Sequence, residues 1–245
     1  MDLVNGTHVA IELAPDFAPV HVANIRTLVR AGWFDGSAVV RVQDNYVVQW
    51  AGANEAKPLP ASVVAHPPAE YDRPLAGLAL RPLASPDAYA ARVGHVEGWP
   101  VASDGGRAWL AHCYGMVGVG RDMPPDTGSG VELYGVIGQA PRHLDRNIAL
   151  VGRIVSGIEA LSALPRGTGD LGFYTDPAQR LGIRRTRIAA DLPVAERPSY
   201  QVMRSDSPTF AAYVEARANR RDAFFVRPAQ GVDLCNAPVP VRAQP

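Results

Sequence analysis

The sequence predicts an α+β fold dominated by β-strands, and three observations carry that reading. From Trp33 to Gln49, Val39, Val42, Val47 and Val48 with Tyr46 give the β-branched and aromatic density of two short strands, broken by the turn-forming Gln43-Asp44-Asn45. Upstream, His8 to Leu13 reads as a strand, and Val22, Ile25, Leu28 and Val29 recur on one face of a helix that Gly32 ends. Further on, Trp99-Pro100-Val101-Ala102 and Arg107-Ala108-Trp109-Leu110-Ala111 flank Asp104-Gly105-Gly106 as a hairpin. A chain of 245 residues is long enough to bury a full core around these elements.

At the amino terminus, Asn5-Gly6 is a two-residue hairpin signal, and the strand after it, Thr7 to Leu13, is longer than the stub Met1 to Val4 before it. The stub is expected to leave part of the second strand unpaired, as a trimmed or late start would. No charged segment followed by a hydrophobic one opens the chain, so a signal peptide is not expected in it. Two placements stay open: the cytoplasm for an intact start, the periplasm for one that has lost a leader. No apolar run reaches the roughly 18 residues that span a bilayer, so no membrane partner is expected.

Residues 51 to about 112 carry Pro58, Pro60, Pro67, Pro68, Pro74, Pro82, Pro86 and Pro100, a density that favours extended loops and short turns over long helices. After Asp191, Ser207 is placed to cap a helix with Pro208 in its first turn, and Phe210, Val214 and Arg217 follow at helical spacing. Beyond it, Phe224-Phe225-Val226 and Val232 to Cys235 read as short strands or packed coil.

Composition excludes several classes of function. With 24 basic and 24 acidic residues the chain has no net charge, which gives no support to a nucleic-acid partner. Its six histidines, at 8, 21, 66, 95, 112 and 143, show no ligand spacing, so a metal is not expected. Gly115, Gly118 and Gly120 have the wrong spacing for a phosphate loop, and Pro124-Pro125 stands where its helix would begin. Ser129 lies in Gly-Ser-Gly without the setting of a nucleophile elbow. Cys113 and Cys235 form no C-x-x-C motif; buried thiols are the expectation, with a disulfide as the alternative in an oxidising compartment.

Five motifs occur in order. The strand ending at Leu13 leads through Ala14-Pro15-Asp16-Phe17-Ala18-Pro19 to the helix with Asn24, then to Gly32-Trp33-Phe34-Asp35-Gly36 and Arg41. Gly115 to Arg121, Gly128 to Tyr134, His143-Leu144-Asp145 and Val151 to Glu159 complete the series. Over about 13–50 and 115–190 this order resembles the cyclophilin-type peptidyl-prolyl isomerases. The resemblance implies a mainly β (α+β) fold, an eight-stranded antiparallel β-barrel flanked by two helices. It divides the chain into a domain over 1–190 with an insertion at about 51–112, and a carboxyl-terminal extension over 191–245 packed on the barrel. The insertion is expected to roof the substrate groove or cover an open side of the barrel.

The same resemblance implies isomerisation of X-Pro bonds in peptides or unfolded protein clients, in support of protein folding and without a cofactor. The alternative is a catalytically weak peptide-binding module on the same fold. Arg41 takes the catalytic position. Tyr46 and Val47 stand where the family usually has Phe-Met, Gln49 keeps its glutamine, and Gly120-Arg121 matches the pair whose backbone binds peptide. Glu132 replaces a usual glutamine, Tyr134 a phenylalanine, and His143 a tryptophan found in some members; Leu144 is retained, and Ile148 takes a position often held by histidine or tyrosine. The hydroxyls of Tyr46 and Tyr134 are expected to narrow the proline socket and make it more polar, and Glu132 to lie within reach of Arg41.

One consequence is a prediction about cyclosporin, the cyclic peptide that inhibits many members. His143 offers a smaller ring than an indole, so binding is expected to be weak. A calorimetric titration with nanomolar affinity contradicts this placement of His143.

Overall fold

The computed structural model describes residues 1–51 and 57–244; residues 52–56, where the expected insertion begins, and 245 lie outside the described residues. Strand β1 (Asp2–Leu3) turns through Asn5-Gly6 toward β2 (Ala10–Leu13), with the Leu3 amide donating to the Thr7 carbonyl at 2.9 Å. Helix α1 (Pro19–Arg30) follows and buries Val22, Ile25, Leu28 and Val29, the predicted stripe. Its N-cap, Ala18, has no side-chain oxygen to satisfy the orphan amides of the first turn. Glu70 of the insertion does this instead: its carboxylate accepts from the amides of Val20 at 2.9 Å and His21 at 3.0 Å, and meets His21 Nδ1 at 2.6 Å. Asn24 adds a second tie, donating to the carbonyls of Val64 and Ser129.

Strands β3 (Ala38–Val42) and β4 (Val47–Ala51) form the hairpin predicted around Gln43-Asp44-Asn45. The insertion departs from the loops expected of it. It contains β5 (Arg73–Pro74), β6 (Arg81–Pro82), β7 (Arg92–Val96), β8 (Trp99–Ser103) and β9 (Arg107–Leu110), which make a five-stranded sheet in the order β5-β9-β8-β7-β6. Pro74 and Pro82 sit in the two-residue edge strands, where a missing amide costs little, while the longer central strands draw on Val93, Val101, Trp109 and Leu110. The predicted hairpin at Asp104-Gly105-Gly106 is the β8-β9 turn, held by the Asp104 carboxylate on the amides of Gly106 and Arg107.

The second half supplies β10 (Met116–Val119), β11 (Glu132–Val136), a 3-10 segment (Ala140–Leu144), β12 (Leu150–Ser156), α2 (Ile158–Ser162) and β13 (Ile183–Arg185). These complete a six-stranded antiparallel sheet, β2-β12-β10-β11-β4-β3. Strand β1 pairs with β13, and single bridges, Ala38 to Gly182 and Asp2 to His8, join that pair to the larger sheet. The fold is thus mainly β, with antiparallel sheets and few helices; isolated bridges, not continuous ladders, stand where the expected eight-stranded barrel would close.

Alternation along the strands separates two cores. Val48, Trp50, Val117, Leu133 and Val151 face α1, whereas Val47, Met116, Tyr134, Val136 and Leu150 face the second sheet. The carboxyl-terminal segment carries β14 (Tyr200–Val202), α3 (Pro208–Ala218) and β15 (Val241–Ala243). Ser207 Oγ caps α3 at the Phe210 amide as predicted, and Phe210 meets His95 of β7 edge-on at 4.9 Å, so this helix lies against the second sheet. Phe224 and Val226 are exposed coil. Cys113 and Cys235 correct the expectation of two free thiols: they form a disulfide, with Cα atoms 4.9 Å apart. The 3-10 turn Leu234–Asn236, capped by Asp233, brings Cys235 to the foot of β10, a juxtaposition that a separation of 122 residues does not reveal.

Removing the Glu70 carboxylate leaves two helix amides and a buried imidazole without their acceptor. Glu70→Ala is expected to lower the unfolding free energy by about 2 kcal/mol. Urea denaturation monitored by circular dichroism checks this; an unchanged midpoint contradicts the capping role.

Candidate functional site

One face of the six-stranded sheet collects most of the residues singled out in the sequence. Arg41 of β3 is the register partner of Gln49 in β4, and Gln49 that of Tyr134 in β11. Arg41 donates through Nη1 to Gln49 Oε1 at 3.1 Å, through Nε to the Leu171 carbonyl at 2.6 Å, and through Nη2 to Gln43 Oε1. Gln49 Nε2 in turn donates to Glu132 Oε2 at 2.8 Å. Chemistry fixes the orientation of this amide: its oxygen must face the guanidinium donors and its nitrogen the carboxylate. The expected contact of Glu132 with Arg41 therefore runs through Gln49.

The guanidinium lies between two rings, 5.6 Å from the centroid of Tyr46 and 5.4 Å from that of Phe173. Burial draws its pKa below the ordinary value, and the Tyr46 and Tyr134 hydroxyls offset part of that. An arginine begins so far above neutrality that it keeps its charge. Burial also raises the pKa of Tyr46, with the Arg41 charge opposing it.

His143 and Leu144 sit at the end of the 3-10 segment. The His143 ring stacks on Tyr46, centroids 5.7 Å apart and planes at 17°, with Nε2 at 3.3 Å from the Tyr46 hydroxyl. Leu144 and Ile148 are half-buried, the latter against the second core. Gly120 stands where a side chain does not fit, since a Cβ would come within 2.9 Å of the Glu132 Cβ; its amide donates to the Glu132 carbonyl. Arg121 folds back to donate to the carbonyls of Asn147 and Asp122, at 3.0 and 2.6 Å.

Val47 and Tyr134 lie deeper than expected, at 2% and 4% exposure. The Tyr134 hydroxyl does not enter the socket expected from the sequence. It points inward to His112 Nε2 at 2.9 Å, in a space that exists because residue 118 is glycine: a Cβ there would come 2.2 Å from the hydroxyl oxygen. Burial raises the Tyr134 pKa and lowers that of His112, whose bond to Asp145 works in the opposite direction. Leaving such a buried hydroxyl unpartnered would cost about 1–3 kcal/mol, so its direction is set by the available acceptor.

Sequence reasoning missed Gln43, Leu171, Phe173 and His112. Gln43 had a local signal, standing two residues after Arg41 and one past the end of β3. Leu171 and Phe173 had none, being brought to β3 by a bridge between Arg41 and Phe173 and by the Tyr174 amide on the Val40 carbonyl. His112 was visible only as one of six scattered histidines.

A family model for cyclophilin-type peptidyl-prolyl cis-trans isomerases matches residues 2–188. The crystal structure of the cyclophilin AquaCyp293 from Hirschia baltica is similar at a TM-score of 0.77 and 23% identity, over 99% of this chain and 88% of that one. A cyclophilin-type isomerase of Cryptosporidium parvum, crystallised in the presence of the dipeptide Ala-Pro, gives a TM-score of 0.45 at 10% identity, over 75% of this chain and 92% of that one. No curated protein matches. The chain belongs to the cyclophilin-type peptidyl-prolyl cis-trans isomerase family, and it is an isomerase of that class. Among the described residues no helix is long and apolar enough to cross a membrane.

Proposed function

We propose that the surface around Arg41 binds X-Pro segments of peptides and unfolded protein clients and catalyses rotation about the prolyl bond, so assisting folding, without cofactor, metal or nucleic acid. Rotation must break amide resonance, a barrier of about 18–20 kcal/mol, and no bond to the protein has to form. Catalysis is then tighter binding of the twisted amide than of the planar one. The observation that carries the reading is Arg41 itself: a half-buried guanidinium oriented by three uncharged acceptors, Gln43, Gln49 and the Leu171 carbonyl. Of its five N–H groups these engage three, which leaves two for a peptide. One of these donates to the prolyl nitrogen as its lone pair localises, an interaction made only in the twisted state.

The remaining roles follow from position. Tyr46, His143, Leu144 and Ile148 form the accessible rim of an apolar socket for the proline ring, with Val47 and Tyr134 as its floor. Gly120 and Arg121 offer backbone to the substrate strand, and Gln49 and Glu132 hold the arginine. In this reading the eight strands β1–β4 and β10–β13 act as one barrel, for which the two isolated bridges are the support. A second reading, a catalytically weak peptide-binding module, draws on the near-complete burial of Val47 and Tyr134, which makes the socket shallow.

Exchange spectroscopy on a proline peptide tests the proposal. Arg41→Ala is expected to keep the fold and lower the rate at least tenfold, which corresponds to about 1.4 kcal/mol of transition-state stabilisation. Wild-type rates in the folded variant overturn the role of Arg41.

The Gln49 relay yields a further expectation. Glu132→Gln keeps an acceptor for Gln49 Nε2 while removing a negative charge near the guanidinium, so turnover is preserved or raised. A loss of activity that disappears in the Arg41→Ala background shows instead that the carboxylate positions the arginine productively.

A further inference from the structure

Behind the socket lies a buried chain of polar groups that the reaction itself does not use. Asp87 accepts from Arg142 Nη1 and Nη2 at 3.0 and 2.8 Å; Arg142 Nε donates to Asp145 Oδ2 at 3.0 Å. Asp145 Oδ1 receives both the His112 amide and His112 Nδ1, each at 2.9 Å, and His112 Nε2 meets the Tyr134 hydroxyl at 2.9 Å. The side chains of Asp87, Arg142, Asp145 and His112 are 6% exposed or less. The Tyr89 ring covers the guanidinium at 4.8 Å.

Proton inventory leaves one arrangement. Arg142 can only donate and the carboxylates can only accept, so His112 Nδ1 must carry a proton toward Asp145. A neutral imidazole then has a bare Nε2, and the Tyr134 hydroxyl must donate to it. Burial, which lowers the His112 pKa, supports the neutral form.

We propose that His112 is a positioning residue of the proline socket, fixing the Tyr134 ring through its hydroxyl and, through Asp145, the 3-10 segment that presents His143 and Leu144. The inference rests on the socket assigned under Proposed function. It explains why a tyrosine stands where the resemblance expects phenylalanine: the hydroxyl serves as an anchor directed away from the ligand. Asp87 and His112 both belong to the inserted segment, so the insertion governs how tightly the socket grips proline even though neither residue touches the ligand. Two walls that follow one another in the chain, β11 and the 3-10 segment, are bridged by an imidazole from the end of the insertion and the Asp145 carboxylate.

The test uses the full-length chain and a proline peptide, with the dissociation constant read by NMR titration and turnover by exchange spectroscopy. Tyr134→Phe, which keeps the ring and removes only the anchor, and His112→Leu are each expected to weaken peptide binding about fivefold while changing turnover at saturation less than about twofold. The double variant is expected to be no weaker than either single one, because both remove the same bond. His112→Gln, which retains an acceptor, is expected to recover part of the affinity. Nitrogen NMR of wild-type His112 at neutral pH is expected to show a protonated Nδ1 and a bare Nε2, a readout that does not depend on any variant folding. Wild-type affinity in Tyr134→Phe, multiplying losses in the double variant, or a protonated Nε2 overturns the proposal. Failure of the isomerase reading itself would appear separately, as absent exchange catalysis in a wild-type protein whose peptide affinity still follows the His112 series.

Discussion

The register of three neighbouring strands is the constraint on which the site depends. Arg41 opposite Gln49, and Gln49 opposite Tyr134, set a row of side chains across β3, β4 and β11 on one face of the sheet. Alternation puts Val48, Trp50 and Leu133 on the other face, in the core under α1. A slip of one residue in β4 would carry Gln49 into that core and Trp50 out of it, so packing and site geometry are specified together. Burying an indole and several branched side chains thereby fixes the orientation of a guanidinium that contributes nothing to the core itself.

The insertion is part of the same construction. Its sheet covers the face of β4, β10, β11 and β12 that would otherwise expose Val47, Met116, Val136 and Leu150, and its Glu70 supplies the cap that α1 lacks. Ties of both kinds, apolar and hydrogen-bonded, reach the site through His112 and the foot of β10. The disulfide at Cys113 then fastens the carboxyl-terminal segment to the residue beside His112, so one short stretch of chain joins the insertion, the main sheet and the extension.

Much of this was legible in the sequence, for reasons that are local. The stripe of α1, the β3-β4 turn, the hairpin at Asp104-Gly105-Gly106 and the Ser207 cap all arise from neighbours within a few residues, where spacing is informative. The motif order singled out Arg41, Tyr46, Gln49 and Glu132, which strand register brings near one another. What escaped was set by long-range contact. Proline density suggested loops over 51–112 because it is counted along the chain, whereas five strands form there, with Pro74 and Pro82 in two-residue edges and Pro100 in the central strand β8. The direction of the Tyr134 hydroxyl depended on His112, 22 residues away, and on a glycine at 118; neither shows any pattern in one dimension. The cysteine pairing required the turn at Leu234–Asn236 to be placed first.

The electrostatics of Arg41 show why its partners are of the kind they are. A guanidinium removed from water loses solvation, which the lowered pKa registers, and it must be compensated by acceptors. Carboxylates would compensate it most strongly but would cancel the potential that, in the role proposed for Arg41, meets a developing lone pair on nitrogen. Amide and carbonyl oxygens compensate by dipole and leave the net charge in place. Gln43, Gln49 and the Leu171 carbonyl are of this kind, and the carboxylate of Glu132 bonds to the far end of the Gln49 amide. The faces of Tyr46 and Phe173 add attraction without a counter-charge. The environment therefore orients a full positive charge while leaving it largely unspent, which is the condition that the proposed role of Arg41 requires: a hydrogen bond formed only with the twisted amide lowers the barrier.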